Sequence, residues 1–460
     1  QRATKELERR MSQNDFEPRK VNELDISNSP EALQAMANHE KARIKYAEMK
    51  EDARWNSLSK SQKAFEIGVA TYDASRNVLS SGDISAFGRQ GFYTLLTHPV
   101  VWAKSIRPSL KAANSNQSMK SAQALRERKN YRNGYYKDGE LEINEADNTG
   151  NFTRVEDRFR LDLTREIPLL GKEVDISNRV YATALNHIRA DLFDALLGDR
   201  VNPSKKLLRD IGRITNILTG RGELKHAEAW SRVAWAPRFL MSSANLLSFK
   251  SVRAAESREG RKIALAQYAR LASVLGSIYG AAMLFDHETE LDPRSSKFGS
   301  IKVGKNHYLN LIGPAKPLLV FLARIISGQN KTSRGIENLR GGWLPFASDE
   351  QRAKPVPYGR DAANIVGRFA QSKAHPGFGA ALSLITKKTY EGDEQTLLGL
   401  AADSFIPLSP RQIPEMFSGE NPILGGLFAL GNSAGFDLKE SYGPDESMPM
   451  INSEAHRNWM

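Results

Sequence analysis

The chain has 460 residues and no cysteine, and its 65 Lys+Arg against 53 Asp+Glu give a formal net charge of +12. That length points to several structural units rather than one core, and the missing thiols exclude disulfides, zinc ribbons, iron–sulfur sites and thiol catalysis. The basic balance favours anionic partners: nucleic acid, membrane headgroups or an acidic protein surface.

The first residue is Gln1, with charged neighbours, so no signal peptide is read there and a piece of a longer chain is expected. Residues 1–80 are charge-rich and helix-favouring. Ser29 before Pro30 suits a helix start, and Leu33, Met36, Ile44, Tyr46 and Met49 give that helix a sparse apolar stripe. Ser57 to Val78 reads as a second helix, with Phe65, Val69 and Tyr72 on one face. Residues 83–111 read as helix, turn, helix, broken at His98-Pro99 because a residue before proline avoids the helical region. Residues 130–155 are polar and turn-rich and predict a loop, with a short hairpin around Tyr135 to Ile143.

Ile176 to Leu197 carries Val180, Leu185, Ile188, Leu192, Phe193 and Leu196 near helical spacing. Asp199 to Pro203 stops that helix, Ser204 restarts one to Leu218, and Gly220 ends it. Residues 229–285 are the most apolar part. Within them Ile263 to Phe285 carries a single charge, Arg270, and Ala272, Gly276 and Gly280 form a small-residue step. Two readings stay open for this stretch. About 20 apolar residues can span a membrane, with a Gly-x-x-x-Gly face for close helix pairing. The other reading is a core helix packed closely at its glycines. Residues 299–311 predict a β-hairpin, 314–327 an apolar helix, and residues 341–460 a Gly/Pro-rich segment with short helices near 359–371, 395–403 and 422–430.

Chemical signals are few. Gly431-Asn-Ser-Ala-Gly435 matches a nucleophile-elbow pattern, but only His456 lies downstream, so a glycine turn is expected. The acidic run Asp286 to Asp292 lacks calcium-loop spacing and reads as a solvated loop ending a helix. The histidines show no metal-ligand spacing, and no phosphate-binding glycine loop occurs. Basic residues cluster at Lys104–Lys120, Arg126–Arg132 and Lys205–Arg221, with aromatics interleaved only at Tyr131, Tyr135 and Tyr136.

Four segments carry a family likeness: Asp83 to Gly91 with Arg89-Gln90-Gly91, Glu166 through Arg179 to Asp194, Trp235-Ala-Pro-Arg238-Phe, and Asp292-Pro293-Arg294-Ser295-Ser296-Lys297-Phe298-Gly299 running on to Gly304. Together they resemble the large polyvalent protein associated domain of phage and mobile-element chains, over roughly residues 80–440. That group includes internal virion (ejection) proteins. Lys297 stands where the family pattern has an acid, and Asn310 departs from it as well. The resemblance does not imply an enzyme, and the residues offer no catalytic constellation, metal or cofactor site, so none is expected. The implied protein would be stored in the capsid head of a tailed phage, delivered with the genome, and would help form a DNA-translocation conduit across the host envelope. The alternatives are a protein that coats incoming DNA and a spacer docking a neighbouring enzyme. Implied partners are sister copies, portal or other internal virion proteins, DNA without sequence reading, and the host membrane after ejection. Arg89 and Arg238 suit bonding to helix C-terminal carbonyls, and Gly91, Gly299 and Gly304 suit tight turns, so these are expected as scaffold residues. The expected fold is mainly α, an elongated multi-helix body. It divides into 1–80, 81–220, 221–340 and 341–460, with one short hairpin and an irregular C-terminal third.

Overall fold

The computed structural model describes residues 86–144, 168–225, 236–303, 307–332, 335–339, 362–374 and 438–440, with residues 56–63 and a few single positions besides. The chain divides into two units, Gln1–Ala64 and Phe65–Met460, so the positions 220 and 340 fall inside one unit. In the first unit Tyr46 and Met49 are helical and exposed. A helical turn over 60–63 begins at Ser59, where a capping box forms: the Gln62 side chain accepts the Ser59 N–H at 2.9 Å and Ser59 Oγ accepts the Gln62 N–H at 3.3 Å. That cap interrupts the helix expected from Ser57 onward.

The second unit is built mainly from helices. A π-helical turn, Ala86–Gln90, leads into α1 (Phe92–Thr97) and α2 (Pro99–Lys111). His98 is non-helical between them, with φ −141° and ψ 67°, in keeping with the proline that follows, and Pro99 takes the first position of α2. α3 (Ser115–Arg126) turns back, capped by Asn114, whose side chain accepts the Asn116 N–H at 2.9 Å. Both α2 and α3 pack on α6 (Pro168–Leu197). Their buried positions include Ser105, Ser109, Ala112 and Ser118, residues small enough to let helices approach closely.

Residues 129–138, expected as loop and hairpin, are two single-turn helices, α4 (Lys129–Arg132) and α5 (Tyr135–Asp138), hinged at Gly134 with φ +75°. The cause is burial of Tyr136, whose ring meets Phe193 edge-on at 5.3 Å between centroids. Beyond α5, Leu141 and Ile143 point inward. The N–H groups of Glu142 and Asn144 go to the amide oxygens of Asn216 and Asn186, at 3.0 and 2.8 Å, rather than to a second strand.

α6 and α7 (Lys205–Leu218) form the helical hairpin expected from the apolar spacing. Ser204 Oγ caps α7 by accepting the Leu207 N–H at 3.2 Å. α7 lays Leu207, Leu208, Ile211, Ile214 and Leu218 into the main core with Leu192, Phe193 and Leu197 of α6. Each such side chain contributes about 1.5–3 kcal/mol relative to exposure. At Gly212 the backbone of Gly139 comes so near that a Cβ would sit 1.8 Å from its carbonyl oxygen.

α8 (Pro237–Leu247) and α9 (Lys250–Arg253) precede α10 (Arg258–Leu284). The start of α10 is fixed from α7: Asp210, its side chain 1% exposed, accepts the N–H groups of Glu256 and Ser257 and the Ser257 hydroxyl at 2.7–2.9 Å. Arg213 stands 3.1 Å from the same carboxylate. α10 then runs across α7 and α1.

A four-stranded antiparallel sheet follows, in the order β1 (Thr289–Glu290), β2 (Ser300–Lys302), β3 (His307–Asn310), β6 (Leu438–Glu440). The expected hairpin is β2–β3, with Ile301 opposite Leu309. Ile301 and Leu311 pack on Ala282, Leu275 and Ile278 of α10. The acidic run expected as a loop enters β1. α11 (Lys316–Ser327) comes next and ends at Gly328 with φ +63°. A second hairpin that the sequence did not announce then pairs β4 (Gln329–Thr332) with β5 (Gly335–Asn338). α12 (Ala362–Lys373) stacks Phe369 on Phe321 of α11 at 4.2 Å between ring centroids. The helices expected near 395–403 and 422–430 and the Gly431–Gly435 turn lie outside the described residues.

Candidate functional site

A polar assembly in the interior centres on Arg189, which is 0% exposed in the apolar face of α6. Its Nε donates to Thr219 Oγ1 at 3.1 Å, and its Nη1 to the Glu142 carbonyl at 2.8 Å. Its Nη2 reaches the Thr219 carbonyl at 3.3 Å and Gln90 Oε1 at 3.4 Å. Gln90 in turn donates to the Tyr181 hydroxyl. The Glu142 carboxylate lies 3.3 Å from Arg238 Nη1, and the Arg238 carbonyl accepts the Gly222 N–H at 2.9 Å. The buried guanidinium thus ties α6 directly to Gln90, Glu142 and Thr219, with Tyr181 joined through Gln90 and Arg238 through Glu142. A planar five-donor group suits such a crossing, because it can bind several elements at once.

Arg238 pairs with the Glu142 carboxylate. It is Arg189 that takes the carbonyl at the end of α7, and Arg179 that donates to the Ala112 and Ala113 carbonyls, at 3.3 and 2.8 Å, after α2. Arg89 is exposed, near enough to Lys373 to help burial hold that lysine below its ordinary range. Gly91 has an ordinary helical φ of −81°, so no special turn needs it. It is wanted for closeness, since a Cβ there would lie 2.6 Å from the Phe87 carbonyl.

The fourth segment forms a separate polar turn. Arg294 holds Asp292 through Nε and Nη2 at 2.9 and 2.8 Å, and that pairing keeps the carboxyl down at about 2. The Arg294 carbonyl accepts Arg324 Nε of α11 at 2.8 Å, and Ser295 is buried in a bridge to Lys331 of β4. Pro293 and Ser296 face solvent, and Phe298 is half-buried. Gly299 has φ +71°, and its carbonyl accepts the Tyr279 hydroxyl at 2.7 Å; burial pushes that phenol up to about 12. Lys297 lies 4.3 Å from the centre of the Tyr308 ring, while Asn310 donates to the Phe298 carbonyl at 2.9 Å. Gly304 lies outside the described residues. Three of the four acids of the run are paired with cations rather than gathered: Glu288 with Lys302, Glu290 with Lys331, Asp292 with Arg294. Among the described residues no three His, Asp or Glu side chains group so as to hold a metal ion.

Ala272 and Gly276 are exposed, and among the described residues a Cβ at Gly276 or Gly280 would meet nothing within 4 Å. Nor is any helix among the described residues long and apolar enough to cross a membrane. α10 starts with Arg258, Glu259, Arg261 and Lys262, and carries Gln267 and Arg270 further on. One side of α10 is committed to the core through Ala264, Gln267 and Ala282, while Leu265, Ala272, Gly276, Met283, Leu284 (83% exposed) and Phe285 (77% exposed) face outward.

Arg189 is legible only in hindsight. An arginine between Leu185, Ile188, Leu192 and Phe193, at a position that helical spacing places inside, signals a buried partner set. Comparison with family models, with curated proteins and with solved structures gives no match for this chain.

Proposed function

We propose that the chain is a structural protein carried inside a tailed-phage particle, an internal (ejection) protein that packs against portal, sister copies or DNA and is delivered with the genome. The family likeness of the four segments suggests this reading. The observation that carries it is the open side of α10. Leu284 and Phe285 are 83% and 77% exposed near Gly276 and Gly280, where a Cβ would meet none of the described residues within 4 Å, a surface suited to packing against another body. The node at Arg189 fits the same role, because it fastens three distant segments into one rigid support for that surface. In the delivered state the same side would meet neighbouring copies or the headgroup layer of the host envelope, contributing to a conduit for DNA without itself spanning the bilayer as a single helix. The test is the position of the chain in intact particles by cryo-electron microscopy with a tagged copy. Density beneath the portal supports the reading, and density on the outer shell overturns it.

A second reading, a protein associated with the incoming DNA, is favoured by the charge on α2 to α4.

A further inference from the structure

The acids and bases around α6 are sorted by side. Between Pro99 and Lys137 the only acidic residue is Glu127, and its carboxylate is bonded to the Gln123 amide at 2.9 Å. The acids that α6 offers to this region turn inward. Asp191 and Asp194 hold Arg128 at 2.5 and 3.3 Å. Asp194 also takes Asn130 at 2.8 Å and the Tyr136 hydroxyl at 2.8–2.9 Å. The outer side is left basic. Lys104, Arg107 and Lys111 follow one another at helical spacing along α2, all exposed, with Lys120, Lys129 and Arg132 exposed on α3 and α4. None of these six makes an ion pair among the described residues. Because α2 rests on α6 through Trp102 and Ile106, packed with Ala184 and Leu185, and α3 through Ser121, bonded to His187, their sides away from α6 share one surface.

We infer that this α2–α4 surface binds the phosphate backbone of double-stranded DNA without reading its sequence. The occupant follows from two features. Polyanion density matches: Lys104 to Lys111 spans about 10 Å of helix, along which duplex DNA presents roughly six phosphate charges. Single strands are disfavoured, because stacking needs exposed rings and the local ones are spent. Tyr136 is buried, and Tyr131 and Tyr135 are packed against the main core. An anionic bilayer would require apolar groups among the cations, and Val100 and Leu110 stand only toward the ends of the row. The inference gives the DNA-associated reading its residues and does not depend on where the chain sits in a particle.

The test uses the full chain and a fluorescent 30-base-pair duplex of arbitrary sequence, titrated by anisotropy across a salt series. The triple variant Lys104→Glu, Arg107→Glu, Lys111→Glu should lose at least about tenfold in affinity at low salt. It should also lower the slope of log K against log salt by roughly 3, near 0.9 for each phosphate contact removed. A matched control, Arg258→Glu, Arg261→Glu, Lys262→Glu at the exposed start of α10, makes the same charge change elsewhere and should bind within about twofold of the parent. Thermal melts by circular dichroism confirm that both variants fold. Equal losses in the two variants, binding indifferent to salt, or no binding by the parent would overturn the inference. So would a triple variant that keeps DNA but loses phosphatidylserine vesicles. A chain found beneath the portal that ignores DNA would sink this inference alone and leave the particle reading standing.

Discussion

α6 and α10 are the two long helices of the described fold, 30 and 27 residues, of similar overall apolar content, and they end in opposite circumstances. α6 is enclosed: α2, α3, α7 and the π-helical turn pack around it, and even its arginine at 189 is sealed. α10 is covered along one side and bare along the other. Length and greasiness therefore do not decide which helix becomes a core. What differs is the arrangement of the apolar groups. α6 sets Leu185, Ile188, Leu192, Phe193, Leu196 and Leu197 into buried positions along its C-terminal half. α10 concentrates Ala, Ser and Gly on its outer side, so little surface is lost to water by leaving it open.

The largest expected effect is at the enclosed helix. Arg189→Ala would leave the carbonyls of Glu142 and Thr219, the Thr219 hydroxyl and Gln90 with buried polar atoms unserved. A loss of about 3–5 kcal/mol is expected from urea unfolding. Arg189→Lys should recover only part of it, since one ammonium cannot reach three elements. A loss under about 1 kcal/mol would mean that the node fastens nothing.

Glycines sharpen the contrast, because the same substitution should change sign between the two regions. Gly212→Ala forces a methyl into the Gly139 backbone and should destabilise by about 1–3 kcal/mol. Gly276→Ala adds a methyl to open space in a helix interior and should stabilise by about 0.5–1 kcal/mol. Thermal melts of the two single variants read this directly. If Gly276→Ala is destabilising in the isolated chain, the outer side of α10 is not open.

The smallest effect lies where α10 meets the end of α1. Arg270 of α10 donates to the Thr97 carbonyl at 3.2 Å and to His98 Nε2 at 2.8 Å. Burial, then the charge of Arg270, lowers the His98 imidazole from 6.5 to about 4. The unfolded chain therefore binds a proton that the folded one refuses between those values. This contribution is whole above about pH 6.5 and falls away as the pH drops toward 4. His98 is only half-buried, so the slope is modest. His98→Gln should flatten it, and an unchanged slope would assign the acid sensitivity elsewhere.

Local pattern was a good guide wherever structure is local. The helical spacing from Val180 to Leu196, the Ser204 cap, the His98-Pro99 break and the β2–β3 hairpin all follow from residues a few positions apart. The failures share a cause too. Tyr135 to Ile143 looks like a polar hairpin until Phe193 and Asn216, far along the chain, supply the partners that make it helical and then extended. Glycine spacing in α10 advertised close packing, but spacing says only that a neighbour could approach. Of the candidate site, the sequence marked Gln90 and Arg238. It passed over Arg189, because a lone cation in an apolar stripe carries no label for what it will bind.

The strand Leu438–Glu440 pairs with β3, yet residues 311–437 come between them. Closing so long a loop has a high entropic cost, and each doubling of length adds about 0.6 kcal/mol. During folding, His307–Asn310 must therefore wait with a bare row of N–H and C=O groups until the distant strand arrives. Timing, rather than affinity, guards that edge: any peptide clipped or stalled short of residue 438 would present it permanently, as a seam ready to accept a stranger's strand.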